Sequence, residues 1–455
     1  MEIRKHRILV ETAQRLIHRG ATANIRKILG KTHPADVASI FPSLVLHEQR
    51  KLFDLLESDA TRAEVVVELK PDVYVPLLES YEPAVLLPMF KEVEADDLAD
   101  ILANLPEEQS REVLKRLDKK DTEEVEDLMR YGEDTAGGIM NPHFFALHGD
   151  TTVEEAVRSL RENKDTEDVE MAFYVYVVND VQQLEGVVSL RQLVMSPPGA
   201  RLRDVMIHEV ISVRVDVDQE EVARLVARYN FLAVPVLDQS NKILGIVTVD
   251  DVIDVIREEA TEDILKMAGA GEEVVETVSF WTNVRGRFPW LLASCLGGIL
   301  AAVAMTPFRE RLGDFSILAL FIPVVLGMGG NVGTQSSTIV VRGLATGVVQ
   351  LGRSLGTVGR ELAVGLLLGV LYGSVVGLAA GGLTGGLYYA LVVGAALAAS
   401  MVLAALLGAL APLTLARLHI DPAAATGPVV RTFVDLLGTV TYFALALLLA
   451  GAFVA

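Results

Sequence analysis

Hydrophobic and polar positions divide the 455-residue chain into three stretches that follow different periods. In residues 1–135 apolar side chains recur every three to four positions in short runs, as in HPADVASIF (33–41) and its loose echo EADDLADIL (94–102). That spacing predicts short amphipathic helices without strands, an all-α helical-repeat domain of the kind that serves as a scaffold or docking surface. Residues 139–258 change period twice over. VEEAVRSL (153–160) and QEEVARLV (219–226) align at an offset of 66, FYVYVV (173–178) and LAVPVL (232–237) at 59, so an insertion is expected in the first copy around 161–172. Each copy ends alike, LEGVVSLRQLV (184–194) and ILGIVTVDDVI (243–253), which predicts a strand and a helix start in a tandem α/β pair. Beyond Pro289 the apolar runs lengthen. A helix needs about 20 mostly apolar residues to cross a bilayer core of about 30 Å. Pro289–Thr306, Phe315–Val341 and Leu362–Ala416 qualify, as does a last run from about Ala425; the GGLTGG at 381–386 splits the longest, giving five spans and an all-α membrane domain.

Charge follows the same division. The chain is 51% hydrophobic yet carries a formal charge of -20. Residues 1–284 hold 55 of the 60 acidic and 31 of the 40 basic residues, a net of -24, whereas 285–455 hold 5 and 9, a net of +4. An acidic polar part is thus joined to a membrane part. Electrostatic binding of nucleic acid by the acidic part is excluded, and the one cysteine, Cys295, excludes a disulfide scaffold. The N-terminal Met-Glu-Ile-Arg-Lys-His-Arg does not lead into a signal peptide, so the acidic part is expected in the cytoplasm and, with an odd number of spans, the C-terminus outside. Arg285, Arg287, Arg342, Arg353, Arg360 and Arg417 fall on the inner side of that arrangement, while Arg309 and Arg311, outside, stand beside Glu310 and Asp314. Gly365/Gly369 and Gly373/Gly377 have the spacing that lets membrane helices approach closely.

Three features carry candidate chemistry. The first is the polar, glycine-rich run 327–337, GMGGNVGTQSS, inside an otherwise aliphatic segment. Such backbone is tolerated at membrane depth only where protein buries it or water wets it, so Gly329, Gly330, Asn331, Thr334 and Gln335 are candidates to line a pathway. The second is Asp435, with Thr432, Thr439 and Thr441 nearby; an intramembrane carboxylate marks an ion route or proton relay, the plainer alternative being a pair with Arg431. The third is the acidic stretch 250–263, in which seven acids face one arginine and Asp251, Glu258 and Glu262 share one helical stripe. Like charges so spaced repel, and hard cations such as Mg²⁺ or Ca²⁺ suit them, whereas the alternative is a solvated face. Glu92, Glu94, Asp96, Asp97 and Asp100 could meet the same ions. The membrane part has a single histidine, His419, which leaves a zinc-dependent intramembrane protease without its His-Glu-x-x-His helix.

The repeats at 139–258 resemble tandem CBS modules, in which a Gly-x-x-Ser/Thr-x-x-Asp motif holds nucleotide; the second copy has Gly245, Thr248 and Asp251, the first Gly186, Ser189 and then Gln192. Together with GMGGNVGTQSSTIVVRGLATG (327–347) and DPAAATGPVVRTFVDLLGTVTYF (421–443), the order of parts closely resembles the MgtE family of bacterial magnesium channels along essentially the whole chain. The resemblance implies an N-terminal helical domain (1–135), two CBS modules (136–200 and 201–256), an acidic linker or plug helix (257–284) and a five-helix pore domain (285–455). It implies a homodimer in the bacterial inner membrane, with the pore between subunits lined by the second and fifth membrane helices and a hydrated Mg²⁺ at Asp435. Influx of Mg²⁺ would be gated closed by cytosolic Mg²⁺ bridging Glu64, Asp96, Asp97, Asp100, Asp250, Asp251, Asp254, Glu259, Glu262, Asp263 and Asp421. Asn230 stands where the family can carry an aspartate, and ATP bound in the CBS pair would involve Tyr174, Arg191 and Phe231. No covalent chemistry is implied, and the competing substrate is another divalent cation such as Co²⁺ or Mn²⁺.

Overall fold

The computed structural model of the chain describes residues 2–162, 173–269, 280–311, 316–425 and 427–453. Most of the expected insertion at 161–172 and part of the linker at 257–284 lie outside them. The chain forms two units, Met1–Arg257 and Glu258–Ala455.

The first unit begins with ten helices: α1 (Glu2–His18), α2 (Thr22–Leu29), α3 (Pro34–Ala38), α4 (Leu46–Phe53), α5 (Asp59–Val67), α6 (Pro71–Glu79), α7 (Pro83–Phe90), α8 (Ala95–Asn104), α9 (Glu107–Leu114) and α10 (Lys119–Leu128). Their starts are set locally. Proline opens α3, α6 and α7, where its missing N–H costs nothing, and Ser58 caps α5 by accepting from Thr61 N at 3.1 Å. Each helix then packs on the next but one, α3 on α5, α7 and α9 in turn, and α4 on α6, α8 and α10. This is the stacked helical repeat that the apolar periodicity predicts. Phe41, Leu52, Leu77, Phe90 and Leu102 are fully buried along it.

Two like modules follow. The first has β1 (Ala146–His148), α11 (Val153–Glu162), β2 (Tyr174–Val178), β3 (Leu184–Ser189), α12 (Leu190–Met195) and a short α13 (Leu202–Val205). The second has β4 (Val213–Arg214), α14 (Gln219–Tyr229), β5 (Ala233–Leu237) and β6 (Ile243–Thr248), and runs into α15 (Val249–Met267). Both sheets have three strands, the first two parallel and the last two antiparallel. Their registers repeat in detail: Tyr174 faces Ser189 as Ala233 faces Thr248, and an irregularity falls after Val177 and again after Val236. Gly186 and Gly245, the motif glycines, sit where a Cβ would strike Met206 in one module and the Asn141 carbonyl, 2.7 Å away, in the other. Tyr176 and Val178 share a buried cluster with Ala233, Leu237 and Ile246, which joins the modules. Val234, Val236 and Val247 belong to the same core as the N-terminal helices, and Ala136 N donates to Val217 O at 2.7 Å.

The second unit contains α16 (Phe280–Ala304), α17 (Ile322–Ala345), α18 (Ser354–Thr384), α19 (Leu387–Arg417) and α20 (Pro428–Phe453), and among the described residues five helices are long and apolar enough to cross a membrane. Helix α19 is central, packing against α17, α18 and α20, while α16 leans on α20. The expected break within 381–386 is a turn through Gly385, at φ +71°. The third span starts earlier than Leu362 because α18 continues back through Arg360 and Glu361 to Ser354, whose Oγ accepts from Arg417 at 3.1 Å. Charges in the first turns lie near the membrane surface and need not end a helix. The polar run 327–337 is unbroken helix within α17.

Glycines on α18 make its contact with α19 possible. A Cβ at Gly373 would lie 2.5 Å from the Gly394 carbonyl, and one at Gly377 2.6 Å from that of Ala390. Gly373→Val is therefore expected to destabilise the detergent-solubilised protein by at least about 1–3 kcal/mol. Gly382→Ala, where a Cβ meets nothing within 4 Å, should change stability by no more than about 0.5 kcal/mol. Thermal unfolding in one detergent compares the two directly.

Candidate ion pathway and carboxylate clusters

The two polar features of the membrane part, far apart in sequence, meet in the fold. Gly329, Gly330 and Gly333 are buried on α17, and α20 lies against them. A Cβ at Gly333 would stand 3.0 Å from Val434, and one at Gly330 would stand 4.0 Å from Asp435 Oδ1 and 3.8 Å from Arg431 Nε. The bare glycine surface therefore lets the carboxylate lie close to the α17 backbone. Asp435 is half-buried, and its carbonyl accepts from Thr439 Oγ1 at 2.7 Å. Arg431, one turn away, acts on Asp435 electrostatically but forms no direct ion pair with it among the described residues. On α17, Asn331 and Gln335 are exposed and Thr334 is half-buried, but no contact joins them to Asp435 among the described residues. Ser400 of α19 fills the notch between two glycines: its Oγ is 2.8 Å from a Cβ at Gly329 and 3.0 Å from one at Gly438. That hydroxyl is buried without a hydrogen-bond partner, as is that of Ser337. Ser337 closes the polar run 327–337, whereas Ser400 carries no sequence signal, because its notch is made by three helices.

In the first unit, Glu94 at the start of α8 and Asp96, Asp97 and Asp100 along it share a field with Asp250, Asp251 and Asp254 at the start of α15. The two acidic stretches were candidates for the same ions, and they lie within electrostatic range of each other. Burial, then the charges of Asp97, Asp251 and Glu94, raises the Asp96 carboxyl well above the usual range, and one of its oxygens has no hydrogen-bond partner. Burial, followed by Asp251 and Glu94, pushes Asp97 up to about 7. Burial also raises Asp251 to about 6, against hydrogen bonds from the Thr248 hydroxyl and from Thr248 N at 3.3 Å. Glu94 accepts from Asn141 Nδ2. Glu64 is exposed on α5 and joins neither this group nor the next among the described residues.

A second group lies in the other unit. Asp263 is raised to about 6 by burial, then by Asp421 and Glu259. Here the chain supplies a cation of its own, since Lys266 pairs with both Glu262 and Asp421, the latter at 2.8 Å. Lys266 went unnoticed in the sequence; its position four residues after Glu262 was visible, but its reach to Asp421 was not. Among the described residues no three His, Cys, Asp or Glu side chains converge as a metal-binding trio.

In the second module Thr248 and Asp251 are bonded to one another beside Gly245. In the first, Gln192 closes a capping box, its Oε1 accepting from Ser189 N at 3.1 Å while Ser189 Oγ accepts from Gln192 N at 3.2 Å. Gln192 therefore starts α12 as an acid would, without a charge. Tyr174 opens β2, Arg191 is exposed on α12, and Phe231 stacks on Tyr229 at 5.4 Å. Asn230 ends α14 in the left-handed conformation, φ 54°, which an asparagine adopts readily.

Comparison with known proteins covers the chain. Residues 322–445 match MgtE, described as a divalent cation transporter; 32–134 match the MgtE intracellular N domain; and 136–198 and 202–258 match the CBS domain. The chain is 36% identical to a magnesium transporter MgtE of Thermus thermophilus, over 97% of this chain and 98% of that one. It is 32% identical to a Bacillus subtilis protein of the same name, over 95% of each. A crystal structure of the cytosolic domain of the Mg²⁺ channel MgtE in complex with ATP superposes with a TM-score of 0.51 at 38% identity, covering 54% of this chain and 99% of that one.

The raised carboxyl groups predict a pH dependence. Asp97 and Asp251 keep protons to about 7 and about 6 in the folded chain against 3.8 in the unfolded one. Folding then takes up protons in between, so the stability these sites contribute is full below the unfolded value and is lost as pH rises through the folded ones. In chelator, hydrogen exchange of α8 in the full-length protein, corrected for intrinsic rates, should be faster at pH 8 than at pH 5. Asp97→Asn should remove much of that difference.

Proposed function

The chain belongs to the MgtE family, and from that membership we propose that it is a Mg²⁺ channel of the bacterial inner membrane that admits Mg²⁺ and is closed by Mg²⁺ in the cytoplasm. The observation that carries the proposal is Asp435 lying over the bare backbone of Gly330, which joins the polar run of α17 to the carboxylate of α20. Mg²⁺ dehydrates reluctantly and commonly takes one or two carboxylates while keeping several waters, so Asp435 suits it without a trio of protein ligands. In a homodimer two Asp435 carboxylates would face one pathway, with Gly329, Gly330, Asn331, Thr334 and Gln335 along its wall. The potential across the membrane contributes about 2.3 kcal/mol per charge per 100 mV, doubled for a divalent ion, which drives entry without ATP hydrolysis. The family is one of transporters and the chain is not an enzyme.

Closure is assigned to the carboxylate groups. Cytosolic Mg²⁺ would replace the protons that burial and mutual repulsion hold at Asp96, Asp97 and Asp251, with Asp100, Asp250 and Asp254 completing the field. The unpartnered oxygen of Asp96 fits a cation or its hydration water. Glu259, Glu262, Asp263 and Asp421 form the counterpart nearer the membrane helices, and Glu64 is assigned a peripheral role. The division into 1–135, 136–200, 201–256, 257–284 and 285–455 assigns the acidic helix to a plug between sensor and pore, with the C-terminus outside. The ATP complex of the related cytosolic domain supports ATP as a ligand of the second module, at Gly245, Thr248 and Asp251 with Tyr174, Arg191 and Phe231 around the base.

Proteoliposomes test pore and feedback together. Asp435→Asn should reduce Mg²⁺ influx at least about tenfold, as loss of an ion-attracting carboxylate in a pathway implies. Influx through the unaltered protein should fall as Mg²⁺ rises on the side of the soluble domains, and Asp97→Asn with Asp251→Asn should shift that closure to higher Mg²⁺. Full conduction by Asp435→Asn would sink the pore assignment.

A further inference from the structure

Arg431 is the feature of the pathway that attraction of cations leaves unexplained. It is exposed on α20, one turn before Asp435, where a positive charge repels the ion that the carboxylate attracts. Both side chains lie over the same missing side chain: from a Cβ at Gly330, Arg431 Nε is 3.8 Å away, Arg431 Cγ 3.9 Å and Asp435 Oδ1 4.0 Å. Were the two ion-paired, the arginine would simply cancel the carboxylate. Among the described residues they form no direct ion pair, and the guanidinium's charge acts on Asp435 from beside the ion site.

A conducting site must bind its ion well enough to admit it and weakly enough to release it. With Asp435 taken as the ion site, as proposed above, we propose that Arg431 sets release: its guanidinium, held beside Asp435 at Gly330, raises the energy of a bound divalent cation so that the ion moves on. Repulsion scales with the charge of the ion, so a divalent cation feels it twice as strongly as a monovalent one. Removing the charge should therefore tighten the site for Mg²⁺ and slow its exit, a pairing of effects that a merely structural role of Arg431 does not produce.

The test is Mg²⁺ influx into proteoliposomes titrated with external Mg²⁺, for the unaltered protein and for Arg431→Gln, Arg431→Lys and Asp435→Asn. Arg431→Gln should lower the half-saturating Mg²⁺ by about threefold or more and lower the maximal rate as well, the direction Coulomb repulsion requires. Arg431→Lys should move both values back towards those of the unaltered protein. Guarding against a folding defect, Arg431→Cys is combined with Cys295→Ser, which removes the chain's one native cysteine. A cationic thiol reagent should then raise the half-saturating Mg²⁺ and a neutral one of similar size should not. A half-saturating Mg²⁺ that is unchanged or higher in Arg431→Gln overturns the release role while Asp435→Asn still loses flux. Should Asp435→Asn conduct fully, the ion site itself is misplaced and the release role falls with it.

Discussion

Burying a carboxyl group costs free energy unless a proton, a cation or hydrogen-bond donors go with it. The first unit buries Asp96 and half-buries Asp97 and Asp251, close enough to oppose one another; Thr248 donates to Asp251, and Asn141 to neighbouring Glu94. The helix starts help, since the exposed N–H groups of α8 and α15 favour negative charge in their first turns. They do not bring the carboxyl groups back to the ordinary range. The repeat domain is built against the second module along one continuous core, which holds α8 and the start of α15 together. Asp263 shows the other solution. Lys266, paired with Glu262 and Asp421, places a tethered ammonium among the acids of the second unit.

The membrane unit depends on what its helices lack. Without side chains at Gly329, Gly330 and Gly333, α17 accepts Val434 and brings Asp435 to its backbone; without them at Gly369, Gly373 and Gly377, α18 reaches the backbone of α19. In lipid, where apolar surface gains little from leaving its solvent, such contacts supply much of the attraction between helices. Glycine therefore plays two parts, joining α18 to the bundle and seating a charge against α17. Ser400, a hydroxyl between Gly329 and Gly438, shows how little room that seat leaves.

Much of this was legible in the sequence wherever residues conflicted with their solvent. The run 327–337 and Asp435 stood out because lipid disfavours them, and the two acidic stretches because like charges crowd there. The tandem modules were legible through a repeat that the strand registers reproduce, irregularity included. What stayed hidden depends on partners distant in the chain. Lys266 reads as an ordinary partner for Glu262 until Asp421 is folded beside it, and Ser400 is one small residue among many. Gln192 reads as the loss of an acid, yet its amide caps α12 and so keeps the local fold while giving up the charge. The early start of α18 is hidden because Arg360 and Glu361 interrupt the apolar run there.

Helix α15 connects these observations. Asp250 and Asp251 near its start interact with α8, while Asp263 and Lys266 near its end interact with Asp421 ahead of α20. One helix thus carries acids of both groups. A ligand shifts a conformational equilibrium only by the difference in its affinity for the two states. Desolvated, mutually repelling carboxyl groups maximise that difference for a cation, because separating them restores to each its water and removes its neighbour's charge. Protons meet the same need, so loss of protons from Asp97 and Asp251 as pH rises restores the repulsion between them.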